Sequence, residues 1–262
     1  MINDWKDKLA VITGASSGIG EDVARKLAAQ GLRVVLVARR QERLETLAEE
    51  IRAGGGSARI FTADLRHEAD RVRLCEEVGA ADVLVNNAGL GWYGYGDEMS
   101  WKTARGMLHV NVEAVVQLSL SFLARMRQRN AGHIINIGSI SGSLPSQGIA
   151  LYGATKSFLD NFTTALHREL AGTCVHVSVV RAGPVRTEFG EAALAQENGG
   201  HVPTEKMGVT PEKVAERIWT LLQHPHRAIY VPDYLRLIPW LELSFGWIID
   251  RAGPLLLKRQ KA

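Results

Sequence analysis

The sequence predicts an α/β protein, a doubly wound parallel sheet of about seven strands with helices on both faces. Three observations carry this. Short apolar runs alternate with longer segments of helical periodicity along most of the chain. Several of those runs are continuously apolar, the pattern of parallel strands buried on both faces. The first run ends in a glycine-rich turn that opens a helix, the start of a right-handed β-α-β crossover.

The elements follow in order. The first strand is Leu9–Thr13, and residues 18–30 form a helix stopped by Gly31. Arg33–Ala38 is the second strand. Residues 41–53 are helical and end at Gly54-Gly55-Gly56. A strand near 57–63, a helix near 68–78, a strand at 82–86, a long helix near 100–129 and a strand at 133–138 come next. The segment holding Tyr152 is helical to about 171 and is expected to bury Phe158, Leu159, Phe162, Leu166 and Leu170. A strand at 175–180, a helix near 211–223 and a short strand near 228–231 complete the pattern. Residues 1–232 read as a single domain. Within it, 188–210 is an irregular stretch rich in glycine, the kind of long loop that covers a binding site. Residues 233–262 are an apolar C-terminal extension, to be packed on the domain, on a partner subunit or on a membrane surface.

The 262 residues are 46% hydrophobic and 23% charged, with a formal net charge of +3, a balance typical of a globular protein with a large core. The basic residues are spread along the chain, so charge points to no nucleic-acid partner. Cys75 and Cys174 are the only cysteines and form no CxxC pattern, which fits a reducing compartment. The polar start carries no secretory signal, and no long apolar run suggests a spanning helix. The cytoplasm is therefore the expected location. Peripheral membrane association through 234–262, with the basic end Lys258-Arg259-Gln260-Lys261 near anionic headgroups, is a second reading. The eight histidines show no metal-binding spacing, so no catalytic metal is expected.

The turn after the first strand reads Thr13-Gly14-Ala15-Ser16-Ser17-Gly18-Ile19-Gly20. Its glycines allow a tight turn and close approach of a pyrophosphate to the backbone, and the helix N-terminus offers free N–H groups. The second strand ends Ala38-Arg39-Arg40 with no acidic residue. An acid there would bond the ribose 2′-hydroxyl of NAD, whereas arginine accommodates the 2′-phosphate of NADP. Arg39, and after it Arg40, thus point to NADP(H) over NAD(H). Asp64, in Ala63-Asp64-Leu65 after the third strand, has two readings: a contact to the adenine edge, or a cap for the helix that follows. Asn86-Asn87-Ala88-Gly89, after the fourth strand, either passes close to a ribose or forms a plain turn.

Tyr152 and Lys156 stand four apart, on one face of a helix. A nearby cation favours a phenolate, so this pair suggests proton exchange, and Ser139 upstream suggests a partner for a polar substrate atom. Each residue also has a plainer reading: core aromatic, surface cation, helix cap.

Taken together and in order, the glycine turn, Asp64, Asn86-Asn87-Ala88-Gly89, Asn111, Ser139, Tyr152-x-x-x-Lys156 and Gly183-Pro184-Val185 with Thr187 resemble the compact single-domain branch of the short-chain dehydrogenase/reductase family. The resemblance spans about residues 8 to 190 and implies a Rossmann-type sheet and NAD(P)-dependent oxidoreduction of a carbonyl or secondary alcohol. It implies that Tyr152 is the general acid in reduction, that Lys156 lowers the phenol's pKa and bonds the nicotinamide ribose, and that Ser139 orients the substrate oxygen. It further implies that Asn111 holds a water linked to Lys156, and that the Pro184-Val185 backbone and Thr187 hold the nicotinamide amide. Assembly as a homodimer or homotetramer through the helices near 100–129 and 152–171 is implied as well. Ala182 replaces the proline usual before Gly183, and the extension past Val231 lies outside the shared motifs. Leu90 to Tyr95, Ile140 to Pro145, Gln147 and the 188–210 loop are the candidate substrate walls, suited to a small, fairly apolar carbonyl or alcohol. A non-catalytic NADP(H)-binding regulator or scaffold on the same fold is the alternative.

Overall fold

A computed structural model describes residues 5–200 and 208–256. Seven parallel strands form one sheet in the order β3-β2-β1-β4-β5-β6-β7. They are β1 (Leu9–Thr13), β2 (Arg33–Ala38), β3 (Ser57–Thr62), β4 (Val83–Asn86), β5 (Gly132–Ser139), β6 (Val175–Ala182) and β7 (Ala228–Val231). The chain order reverses between β1 and β4, and ligands of such sheets bind at the carboxyl edge beside that switch.

Helices cover both faces because each carries an apolar stripe at helical spacing. On one side α1 (Gly18–Ala29), α2 (Gln41–Ala53) and α8 (Pro211–Gln223) bury Val23, Leu27, Leu44, Leu47, Ile218 and Leu222 against the sheet. On the other, α3 (Glu68–Val78), α5 (Ala114–Arg129) and α6 (Ala150–Glu169) bury Leu74, Leu118, Phe122, Met126 and Leu166. Continuous apolar strands between two helical layers give a core with β1, β2 and β4 nearly inaccessible.

The long helix near 100–129 is not regular. It runs as α4 (Trp101–Leu108), one π-helical turn at His109–Glu113, and α5. Such turns insert one residue and recur at functional sites; this one carries Asn111. By length and composition Trp101–Arg129 is apolar enough to cross a membrane, but half of its most apolar stretch is buried within the fold, as a core helix would be. Phe158 is exposed and stacks on half-buried Phe162, with ring centroids 5.9 Å apart, instead of facing the core. Leu159, Leu166 and Leu170 are buried as expected. The 188–210 segment begins with a short helix, α7 (Phe189–Leu194); its residues 201–207, including His201, Glu205 and Lys206, lie outside the described residues.

Past β7 the chain forms a 3-10 turn at Asp233–Leu237 and α9 (Ile238–Leu256), which is broken at Phe245. Leu235 is buried and anchors the turn. Its neighbour Tyr234 is 69% exposed, and on α9 Trp240, Leu243 and Trp247 are 68%, 80% and 59% exposed.

Candidate active site

The carboxyl ends of β1, β4, β5 and β6 gather the candidate residues. At β1, Gly14 and Gly18 take positive φ of 66° and 58°, which suits glycine because it has no Cβ to clash. A Cβ on Gly20 would collide with Asn87 Nδ2 and the Gly14 carbonyl. The turn is tied to β4: Asn87 Nδ2 donates to the carbonyls of Thr13 (2.9 Å) and Gly14 (3.2 Å), and the Asn87 and Ala88 N–H groups donate to Thr13 Oγ1 at 3.0 Å. Asn87 and Ala88 therefore brace the glycine turn. Asn86 faces the other way, with its Nδ2 donating to Ser119 Oγ and Asn136 Oδ1 inside the core.

The turn's chemistry suits a dinucleotide. Helix α1 starts at Gly18 with Ser17 as N-cap, and no side chain accepts a hydrogen bond from its first turn, leaving N–H groups for a ligand anion. Arg39 is exposed at the end of β2. Arg40 lies along the turn, its Nε donating to Ser16 Oγ at 3.1 Å and one Nη to Ser17 Oγ at 2.7 Å. The donors a phosphate needs are thus grouped on one edge, and NADP(H) fits the residues present.

Asp64 does not cap α3, whose N-cap is His67. Its carboxylate accepts the Arg66 N–H at 3.0 Å and pairs with the Arg66 guanidinium. Burial works to raise the Asp64 carboxyl, but Arg66 and its backbone N–H prevail and hold it below the usual carboxylate range. Leu65 beside it is buried. At the end of β6, Ala182 pairs with both Ser139 and Val231, so the position usually held by proline keeps a regular ladder. Val185 forms a parallel bridge with Val209 through the Pro184 carbonyl and the Arg186 N–H, a bridge that does not use Val185's own N–H and C=O. Thr187 crosses to the glycine turn, where a Cβ on Gly18 would stand 2.8 Å from Thr187 Cγ2.

Tyr152 and Lys156 project from α6, and Ser139 ends β5. Ser139 is buried, hydrogen-bonds Tyr152, and also accepts the Ser141 N–H at 3.1 Å, so it is both a neighbour of the phenol and a turn cap. Lys156 is buried, its Nζ donating to the Ile137 carbonyl at 2.8 Å and lying 5.7 Å from the centre of the Tyr152 ring. The π turn aims Asn111 inward: its Oδ1 accepts the Leu90 N–H at 2.8 Å, and its Nδ2 donates to the Leu90 carbonyl and Thr155 Oγ1. A Cβ on Gly89 would lie at ordinary contact distance, 3.5 Å from Asn111 Oδ1 and 3.8 Å from Lys156 Nζ, so the strand-end glycine borders both residues.

The electrostatics differ from the sequence expectation in one respect. Burial pushes the Tyr152 phenol up to about 12, against a smaller lowering by Ser139. Desolvation also lowers Lys156 to about 8, while Asp160 works to raise it. Asp160 was not anticipated as part of the site. It sits one helical turn beyond Lys156 and pairs with Arg181 Nε at 3.1 Å.

The substrate walls also come together. Phe189 packs on Tyr152 with ring centroids 5.6 Å apart, and a Cβ on Gly91 would meet the same ring at 2.5 Å. Tyr93 touches Gly148. Trp92 is not a wall: it is 3% exposed and its Nε1 donates to the Glu197 carbonyl, pinning the 188–200 segment.

A glycine turn with free helix N–H groups, at the sheet edge that also gathers Ser139, Tyr152 and Lys156, fits a dinucleotide-dependent oxidoreductase. Comparisons with known proteins agree. Residues 8–198 match the short chain dehydrogenase family. The NADP-dependent 3-hydroxy acid dehydrogenase YdfG of Escherichia coli K12 is 36% identical over 222 residues, 80% of this chain and 87% of that protein. A short-chain dehydrogenase from Sphingobium yanoikuyae in complex with NADPH has 27% identity and a TM-score of 0.81, covering 97% of this chain and 98% of that one. The closed form of a serine dehydrogenase complexed with NADP+ has 33% identity and a TM-score of 0.74, covering 85% of this chain and 93% of that one. The chain belongs to the short-chain dehydrogenase/reductase family.

Proposed function

We propose that the protein reduces a small, fairly apolar carbonyl compound, or oxidises the matching secondary alcohol, using NADP(H) in preference to NAD(H), with Tyr152 as proton donor. The observation that carries this reading is the convergence of Ser139, Tyr152, Lys156 and Asn111 beside the glycine turn. The NADP(H)-bound relatives support the cofactor choice, and so do Arg39 and Arg40 at the end of β2.

Bound NADPH supplies the hydride. Gly14 to Gly20 and the α1 N-terminus hold its pyrophosphate, with Arg39, Arg40 and Ser16 at the 2′-phosphate. Asp64 and Leu65 flank the adenine, and Ala88 and Gly89 the ribose. Pro184, Val185 and Thr187 hold the nicotinamide amide. Ser139 donates to the substrate oxygen and stabilises its developing charge. Tyr152, fully protonated at neutral pH, gives that oxygen its proton, a favourable transfer because an alkoxide is a stronger base than a phenolate. Lys156 holds the nicotinamide ribose and places positive charge near the phenol as it ionises. Asn111 holds a water that links Lys156 to solvent.

The protein assembles with itself through α5 and α6, where Leu120 and Phe158 are exposed apolar side chains. The exposed apolar side chains of α9 favour a further contact, with a partner subunit or, given Trp240, Trp247 and the basic chain end, with a membrane surface.

Turnover of a panel of aldehydes, ketones and 3-oxo acids with NADPH tests the reading. Consumption of NADPH with at least one carbonyl is expected; tight NADPH binding with no turnover on any member would instead make the protein a regulator.

A further inference from the structure

Beside the glycine turn lies an ion-pair cluster in which Arg40 meets two residues without a role so far, Glu188 and Arg43. Arg40 already spends three hydrogen bonds on the turn, to Ser16 Oγ, the Ser16 carbonyl and Ser17 Oγ. Its remaining nitrogen, Nη1, donates to Glu188 Oε2 at 2.9 Å. The other oxygen of the same carboxylate accepts from Arg43 Nη1 at 2.6 Å. Arg43 is on α2, one turn past Arg40, whereas Glu188 comes from the opposite wall of the cleft, between Thr187 and Phe189. One carboxylate thus spans two guanidiniums, beside two serine hydroxyls, at the strand end where a 2′-phosphate is expected.

Paired guanidiniums with hydroxyls at hand are an anion receptor, and here the receptor already holds an anion. Glu188 is held below the usual carboxylate range by Arg43 and then Arg40, so it is charged at neutral pH.

We infer that Glu188 stands in for the 2′-phosphate of NADP(H): it occupies Arg40 and Arg43 when the cofactor is away and yields them to the phosphate on binding. Glu188 and Arg43 are then specificity-determining residues for the cofactor, Arg43 as a phosphate ligand and Glu188 as its competitor. The exchange is favourable on two counts. A phosphate monoester brings about −1.5 to −2 charges and three acceptor oxygens, where a carboxylate brings one charge and two oxygens. The pairs being given up are about half exposed, and exposed ion pairs contribute little. NADH carries no 2′-phosphate and has no reason to displace Glu188.

The inference rests on the proposed preference for NADP(H), and binding titrations separate the two. Dissociation constants for NADPH and NADH are measured from cofactor fluorescence, without substrate, on wild type, Glu188→Gln and Arg43→Ala. Removing the competing charge in Glu188→Gln should tighten NADPH by about two- to fivefold, the scale of an exposed ion pair, and leave NADH unchanged. Arg43→Ala should weaken NADPH by a similar factor, again without effect on NADH. Weaker NADPH binding by Glu188→Gln would show a latch that retains the cofactor and overturn the inference, as would equal changes for both cofactors. A wild-type protein that binds NADH as well as NADPH would instead refute the cofactor preference itself.

Discussion

Tyr152 and Lys156 show how burial and charge compete within one site. The phenol, pushed up to about 12, remains a proton donor throughout the physiological range. The ammonium, lowered to about 8, is charged only below that pH. Its positive charge is what assists an ionising phenol, so reduction should fade as pH rises through about 8. Asp160 works to raise Lys156, so Asp160→Asn should move that alkaline limb to lower pH, as read from the pH profile of kcat/KM. A limb that stays in place while the protein merely loses stability would leave Asp160 with a structural role only. The spacing of Tyr152 and Lys156 was legible because four residues make one helical turn. Asp160 occupies the next turn on the same face, and what hid it was its partner: Arg181 lies on β6, and no local pattern connects them. The direction of the Tyr152 shift was equally hidden, since desolvation depends on neighbours from β5 and α7.

At the scale of elements, the strands and most helices were readable because parallel strands buried on both faces leave continuous apolar runs. The features that escaped are those set by tertiary contact. The π turn at His109–Glu113 has no compositional mark, Phe158 faces outward despite helical spacing that suggested burial, α7 forms in a stretch that its glycines marked as irregular, and α9 forms in an extension to which no helix was assigned. One buried pair at the opposite end of β5 carries a prediction for acid stability. Ser178 Oγ donates to the His226 carbonyl at 2.6 Å, so at 2.8 Å its oxygen accepts from His133 Nε2–H. His133 Nδ1 is left buried and without a partner, and burial lowers this histidine to about 3. Between pH 6.5 and 3 the unfolded chain binds a proton there that the folded chain does not. Stability conferred by neutral His133 is therefore lost as pH falls, by up to about 1.4 kcal/mol per pH unit. Urea unfolding across this range should show a shallower acid slope in His133→Gln than in wild type; parallel slopes would contradict the assignment.

For the whole molecule, the doubly wound sheet explains why residues far apart in sequence meet: β1, β4, β5 and β6 all end at the edge beside the switch between β1 and β4. What covers the outside is less determined by that logic. Several aromatic and aliphatic side chains of α9, Trp240, Leu243 and Trp247 among them, stand in solvent in a single subunit, and clustered exposed apolar side chains mark contact surfaces. A chain ending at Leu237 should lose either an assembly step beyond the α5–α6 contact, seen by sedimentation, or partition onto anionic vesicles. Loss of neither would leave α9 without the contact proposed for it. The central claim is that Tyr152 protonates a carbonyl while the cofactor half acts independently of it, and Tyr152→Phe tests this most directly when NADPH binding and NADPH-dependent carbonyl reduction are measured on the same sample. NADPH affinity close to wild type is expected, with reduction lowered at least a hundredfold, the scale of a lost general acid; reduction at near wild-type rate in that variant would remove Tyr152 from the proton-donor role.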